Sequence, residues 1–226
     1  MKPLALLPLG AAWFLLPAHA QGLAIAPVMI DAPAQGGATS LTVSSSLDQD
    51  ITVQVRIFDW AQENGEEQLE PARGLRFAPE IFTLRPGTSQ VVRMSVPDTG
   101  GEGAWRVILD ELPSAGAAAP TPAAQLSIRL RYVLAMFAGA PASPDMLQAD
   151  VSSGALLLRN PGPGWLRLHG MSLQAQDGTA VPAGPGIVYL LPGSELSLPS
   201  LEETRFSALN YSVNGQSFSA QFKPVR

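Results

Sequence analysis

Side chains that commonly perform catalysis are scarce in this chain. It contains two histidines and no cysteine, and it carries no nucleophile elbow, phosphate loop or dinucleotide-binding fingerprint. A hydrolytic triad needs a histidine, and His169 is the one that remains if residues 1–20 are removed on export. Because His169 lies in a strand-like segment, a surface or half-buried histidine is the ordinary interpretation. We therefore predict that the protein is not an enzyme and uses no metal or cofactor.

Carboxylates cluster at two places where they could act together. Residues 63–67 (Glu-Asn-Gly-Glu-Glu) resemble a calcium loop only in charge, because the alternating ligand spacing and the closing glutamate are missing. A solvated hairpin tip is the prediction there. Asp110 and Glu111 are neighbours on a predicted strand, so they point to opposite faces and make a poor acid–base pair.

Residues 126–134 carry the most informative pattern, since bulky apolar side chains alternate there with polar or cationic ones. This period of two is typical of a strand. At roughly 3.3 Å per residue, the apolar side chains would stand about 6.6 Å apart on one face, a spacing that could fill successive pockets in another protein's sheet. The row consists of Leu126, Ile128 and Leu130, and it continues through Tyr132 and Leu134. Burial in the protein's own core is the alternative.

The N terminus indicates an exported chain. A basic start is followed by an apolar stretch broken by prolines and by the small-x-small sequence Ala18-His19-Ala20. These features predict a cleavable signal peptide over residues 1–20. No segment is long enough to span a bilayer, so we expect a soluble, exported mature protein. Removing Lys2 changes the net charge from −5 to −6, which argues against nucleic-acid binding.

Short strands and turns fill the rest of the chain. The 21 glycines and 21 prolines suit many turns, and the absence of cysteine means that the cores must hold the fold without disulfides. The strands are expected to be antiparallel, since short connections join them. The predicted class is all-β, with two β-sandwich domains of about seven strands each. The predicted domains are residues 21–138 and 145–226, with residues 139–144 as the linker.

Five segments carry turn and strand motifs that occur in one collinear order. They are residues 84–93 (LRPGTSQVVR), 105–113 (WRVILDELP), 126–137 (LSIRLRYVLAMF), 160–165 (NPGPGW) and 188–194 (VYLLPGS). In this order they resemble the periplasmic pilus chaperones of the chaperone–usher pathway. The second domain, which has no disulfide, looks more like the alternative or archaic branch of that family.

The resemblance implies two immunoglobulin-like sandwiches set at an angle. It also implies that the protein binds pilin subunits by donor-strand complementation and delivers them to an outer-membrane usher. Leu126, Ile128 and Leu130 would then fill the subunit's pockets, while Tyr132 and Leu134 would extend the contact. An exposed donor strand also predicts weak self-association.

Two features of the family are missing from this sequence. Family members of the P-pilus type hold the subunit's terminal carboxylate with an Arg and a Lys, and the corresponding places here are Met29 and Ala135. The candidates for a replacement cation are Arg106, Arg129 and Arg131. The arginine that helps to lock the two domains aligns with Ala140, so we expect packing to set the domain orientation.

The rival interpretation is a secreted two-domain adhesin or pilus subunit, which would share the signal peptide and the β-rich composition. A subunit should carry a donor extension ahead of its first strand. Strand character here starts at Leu23, directly after the predicted cleavage site, and this disfavours the rival.

Overall fold

The computed structural model describes residues 22–113, 129–152, 154–199 and 206–222. These residues form strands and one single-turn 3-10 helix, Pro144–Met146. The strands of the first half are β1 (Leu23–Ala26), β2 (Met29–Ala32), β3 (Gln35–Ser45), β4 (Ile51–Glu63), β5 (Glu66–Pro71), β6 (Arg76–Ala78), β7 (Ile81–Leu84), β8 (Ser89–Asp98), β9 (Gly103–Leu112) and β10 (Arg131–Ala138). Those of the second half are β11 (Gln148–Ser152), β12 (Ala155–Arg159), β13 (Leu166–Ala175), β14 (Ala180–Pro182), β15 (Ile187–Leu190), β16 (Glu195–Pro199), β17 (Phe206–Val213) and β18 (Gln216–Gln221).

The first ten strands build one sandwich. One sheet has the order β1-β3-β8-β6, and the other has the order β2-β10-β9-β4-β5 with β7 beside β4. The alternation along β4 shows why the sheets pack, because Val53, Val55 and Ile57 are buried between them while their neighbours are not. Burying each such side chain contributes roughly 1.5–3 kcal/mol to the free energy of unfolding.

The first predicted strand divides at Pro27 and serves both sheets. β1 pairs antiparallel with β3, whereas β2 pairs parallel with β10 in the opposite sheet. A proline cannot donate to a sheet ladder, and Pro27 lies where the chain leaves one ladder for the other. The expectation of purely antiparallel pairing is therefore wrong for β2. No short loop joins β2 to β10, so closure of the sandwich decides their relative direction.

The second eight strands build another sandwich, with sheet orders β11-β12-β16 and β14-β13-β17-β18, and with β15 beside β13. Its core contains mostly leucines, among them Leu158, Leu166, Leu168 and Leu190, which are fully buried. The prediction of an all-β chain with two sandwiches is confirmed.

Asn160 connects two of the sequence motifs of this second sandwich. It is fully buried, and its side-chain nitrogen donates to the backbone oxygens of Gly164, Leu190 and Leu191. Its side-chain oxygen accepts from the Gly162 backbone N–H. The Asn-Pro turn and the 188–194 segment are thus tied together by one amide.

Aromatic packing joins the two sandwiches. The Phe137 ring stacks on Trp165 with centroids 4.5 Å apart, and it lies 5.7 Å from Trp60 and 5.6 Å from Tyr189. Gln62 adds polar contacts. Its side-chain nitrogen donates to the Tyr189 backbone oxygen, and its side-chain oxygen accepts from the Leu191 N–H and the Ser194 hydroxyl.

Three strands, β5, β6 and β14, are only three to six residues long. β5 is exposed along its whole length and so lacks apolar alternation. It forms because it extends the hairpin of β4 across Asn64-Gly65, the predicted tip, where both residues have positive φ. Among the described residues, no helix is long and apolar enough to cross a membrane.

Candidate functional site

The alternating row of residues 126–134 leads into β10. Leu126 and Ile128 lie outside the described residues. Along the described part of the row, Leu134 is buried in the core of the first sandwich and Tyr132 is half-buried against it. Leu130 is 47% exposed. This face of the strand is therefore buried in the protein's own core at Leu134 and exposed to solvent at Leu130.

One edge of β10 is paired over only part of its length. β9 pairs with β10 from Arg131 to Ala138, whereas β2 covers the other edge only from Ala135 to Ala138. Among the described residues, Arg131 to Leu134 pair with β9 alone. The Glu111 N–H donates to the Leu130 oxygen. Alternation along an antiparallel ladder then turns the backbone groups of Arg131 and Val133 to the uncovered edge.

Exposed apolar side chains flank this uncovered edge. Val133 is 48% exposed, and Val28, which precedes the start of β2, is 68% exposed. β2 runs parallel to β10, and its first residue, Met29, lies opposite Ala135. Val28 therefore lies just before β2, next to the point where the uncovered edge of β10 begins. The strand thus offers unpaired amides together with apolar side chains.

Arg131 belongs to a three-residue charge cluster on β4, β9 and β10. Its Nε and the Arg56 guanidinium each donate a hydrogen bond to the Asp110 carboxylate at 2.5 Å. Burial alone would raise the pKa of Asp110, but the hydrogen bonds and positive charges of Arg131 and Arg56 outweigh it and lower the pKa below its usual value. Two cations share one carboxylate, which leaves this part of the sheet with a net positive charge.

Tyr132 and Glu111 lie on the other face of the same strands. Burial raises the pKa of the Tyr132 hydroxyl, and the nearby Glu111 carboxylate raises it further. Glu111 also accepts a hydrogen bond from the Leu130 N–H at 3.4 Å. As expected, Asp110 and Glu111 face opposite sides and have separate partners.

Arg106 lies next to Met29 and Ala135, the two positions at which the sequence resemblance leads us to look for basic residues. Ala135 pairs with Met29 on one side and with Arg106 on the other, so the three residues form one row across β2, β10 and β9. Arg106 is 9% exposed and forms an ion pair with Glu67. Its guanidinium carbon lies 3.5 Å from the centre of the Trp60 ring.

Arg129, the third candidate cation, is exposed ahead of β10. Its position differs from that of Arg106, which is enclosed by the first sandwich and by Tyr189 of the second, 5.5 Å away. The structure brings Arg106 and Arg131 onto one face of the sheet but gives them different carboxylate partners.

The sequence did not indicate the roles of Glu67, Trp60 and Tyr189. Trp60 lies on β4, and Glu67 lies in the acidic hairpin of residues 63–67, which resembles a calcium loop only in charge. Their proximity to Arg106 depends on strand pairing, and that of Tyr189 depends on domain docking. In the described ranges, no three potential metal-ligand residues lie close enough together to hold an ion.

A hollow of about 300 Å³ lies where the two sandwiches meet. Its lining includes Trp60, Gln62, Phe137 and Trp165. Trp60, Phe137 and Trp165 are rings that pack between the sandwiches, and Gln62 is already bonded to the second sandwich. The hollow therefore belongs to the contact between the sandwiches.

Comparison with known proteins gives a family match and many structural matches. Residues 22–143 match the family model described as "Pili and flagellar-assembly chaperone, PapD N-terminal domain". Among curated proteins, none matches the chain significantly.

Three solved structures illustrate the structural similarity. The CsuC–CsuE chaperone–tip adhesion subunit complex from archaic chaperone–usher Csu pili of Acinetobacter baumannii has 18% identity, covers 90% of this chain and 100% of its own, and gives a TM-score of 0.69. The Salmonella enterica SafA pilin–SafB chaperone complex has 16% identity, coverage of 91% and 98%, and a TM-score of 0.64. The Pseudomonas aeruginosa CupB2 chaperone has 18% identity, coverage of 88% and 100%, and a TM-score of 0.60. This similarity of fold confirms the predicted pair of immunoglobulin-like sandwiches.

Proposed function

The chain belongs to the family of pili and flagellar-assembly chaperones, and from this premise we propose that it binds pilin subunits by donor-strand complementation. In this proposal the protein is exported by a cleaved signal peptide over residues 1–20, works in the periplasm and delivers its subunits to an outer-membrane usher. It needs no cofactor, because binding uses only backbone hydrogen bonds and side-chain burial.

The uncovered edge of β10 is the observation that carries the proposal. A subunit that lacks its last strand exposes a hydrophobic groove and two unpaired strand edges, which would aggregate. A donated strand covers both, with amides on its free edge and apolar side chains at every second position. The uncovered residues 131–134 and the exposed Leu130 provide this combination.

In the donor strand, Leu126, Ile128 and Leu130 would fill successive subunit pockets. Each contributes roughly 1.5–3 kcal/mol if fully buried, and each main-chain hydrogen bond adds roughly 0.5–1.5 kcal/mol net. Tyr132 would extend the contact at the edge of the sandwich. Leu134 packs in the protein's own core, so its part in the proposal is to hold the strand in place.

Arg106 is the candidate cation that we favour for the subunit's terminal carboxylate. It lies in the row of Met29 and Ala135, the two places where the family's basic residues would be expected. A planar guanidinium can bind both oxygens of a carboxylate, as the missing Arg and Lys would do together. Arg131 and Arg129 lie further along the strand and remain secondary candidates.

The donor assignment is tested by co-expression with a pilin-like subunit. We expect Ile128→Asp and Leu130→Asp to reduce the soluble subunit recovered from the periplasm at least tenfold, since a charge in an apolar pocket costs several kcal/mol. Ile187→Asp is the matched control, because Ile187 is 46% exposed and lies in the second sandwich. A yield of subunit unchanged by both donor-strand variants would contradict the assignment.

A further inference from the structure

Arg106 has an incomplete set of hydrogen-bond partners although it is buried. One terminal nitrogen donates to Glu67. Its Nε is buried and has no hydrogen-bond partner in the described parts of the chain, and the same holds for Nε1 of the Trp60 ring beneath it. Buried N–H groups without acceptors are costly, so two such donors on stacked groups leave this site short of an acceptor.

Glu67 contacts Arg106 in a way that another carboxylate could improve. The strongest arginine–carboxylate pairs use two nitrogens and two oxygens, whereas Glu67 meets the guanidinium through a single contact. Glu67 lies on β5, opposite Gln62 in the hairpin, and its side chain is 42% exposed. A side chain this exposed can turn into solvent.

Arg106 is enclosed, and Glu67 already occupies part of its guanidinium. The Arg106 side chain is only 10% exposed, because Trp60 covers one face of its guanidinium and Tyr189 lies nearby. A second carboxylate at the same guanidinium would be repelled by Glu67 at close range. The two carboxylates therefore compete for one cation.

We propose that Glu67 is an internal competitor for the subunit's terminal carboxylate. In the free protein Glu67 neutralises Arg106 and holds it against Trp60. When a subunit enters, its terminal carboxylate takes the guanidinium with two hydrogen bonds, and Glu67 moves into water. This inference rests on the proposed function, in which Arg106 is the anchor for that carboxylate.

The competition is tested with a synthetic peptide of a subunit's C-terminal residues, prepared as the free acid and as the amide. Binding is measured by titration calorimetry to the mature protein and to its Glu67→Gln variant. We expect Glu67→Gln to bind the free acid about three- to tenfold more tightly and to bind the amide unchanged. Glu70→Gln is the matched control, since Glu70 is on the same strand and pairs only with exposed Arg73.

Two further variants separate this inference from the anchor itself. Arg106→Gln should abolish the preference for the free acid. Arg106→Lys should retain part of it, because lysine keeps the positive charge at this position. If the acid and the amide bind equally to the wild type, Glu67→Gln and Arg106→Gln proteins, the anchor is wrong and the competition with it. If the acid preference depends on Arg106 but is the same in Glu67→Gln, the competition alone is wrong.

Discussion

At the scale of single residues, Asp110 on β9 forms ion pairs with Arg56 on β4 and with Arg131 on β10. Arg56 and Arg131 both donate to it, so it neutralises part of the positive charge beside the free edge of β10. The lowered pKa of Asp110 means that the folded protein holds this carboxylate ionised to lower pH than the unfolded chain does. The contribution of Asp110 to stability is therefore present above its ordinary pKa of 3.8 and is lost as the pH falls through the lowered value.

We predict that Asp110→Asn lowers the free energy of unfolding at neutral pH by about 1 kcal/mol. The variant should also lose less stability than the wild type on acidification, because the titrating group has been removed. Urea unfolding across an acid-to-neutral pH series measures both effects, with Asp48→Asn at an exposed position as control. Parallel pH profiles for Asp110→Asn and wild type would show that the cluster does not titrate as described.

At the scale of elements, β10 has two edges with different partners. β9 covers one edge along the whole strand, whereas the pairing with β2 begins at Ala135, so that among the described residues none pairs with the other edge at residues 131–134. The N–H of Val133 points to the uncovered edge, as the Glu111–Leu130 hydrogen bond fixes the alternation. A change at that N–H can therefore affect a bound subunit without breaking the protein's own ladder.

We expect Val133→Pro to fold normally and to bind subunit several-fold more weakly. A proline is tolerated on an edge strand whose N–H faces outward, and the lost donor removes roughly 0.5–1.5 kcal/mol from the complex. Val133→Ala is the control, since it shortens the side chain and keeps the N–H. Circular dichroism checks the fold, and competition binding measures the complex. Equal affinity of the two variants would mean that no subunit strand pairs at Val133.

At the scale of the whole molecule, aromatic rings and Gln62 contribute to the contact between the two sandwiches. The Gln62 side chain donates to the Tyr189 backbone oxygen at 2.8 Å. It accepts from the Leu191 N–H at 2.9 Å and from the Ser194 hydroxyl at 2.8 Å. The sequence resemblance predicts that Ala140 takes the place of an arginine that would help to lock the domains. Packing of Trp60, Phe137 and Trp165, together with these hydrogen bonds, provides contacts between the sandwiches.

We predict that Gln62→Ala weakens the contact between the sandwiches by about 1–3 kcal/mol, because the backbone groups that it satisfied lose their partner. Small-angle X-ray scattering should show a broader distribution of overall dimensions, and calorimetry should resolve two unfolding transitions. Gln54→Ala, a half-buried change on the same strand, serves as control. An unchanged scattering curve and a single transition would indicate that ring packing alone holds the sandwiches.

Prediction from sequence succeeded where the pattern was local. The alternation along β4 and the turn at Asn64-Gly65 are encoded within a few residues, and the structure has them. β5 has no apolar alternation and forms only because β4 lies beside it, so its residues gave no signal. The position of Arg106 could be suspected from its strand, but its pairing with Glu67 depends on β5 and its approach to Tyr189 depends on the second sandwich.

The amino-acid sequence by itself determined the all-β class, the two-sandwich organisation and the single row of apolar residues that leads into β10. Side-chain period and turn chemistry are properties of neighbouring residues, so they can be read without a structure. Only the tertiary structure decided that Leu134 is buried while Leu130 is exposed, and that Glu67 forms an ion pair with Arg106. Burial and ion pairing depend on strands distant in sequence, and the point where β2 stops pairing with β10 decides which part of that row is free to bind a partner.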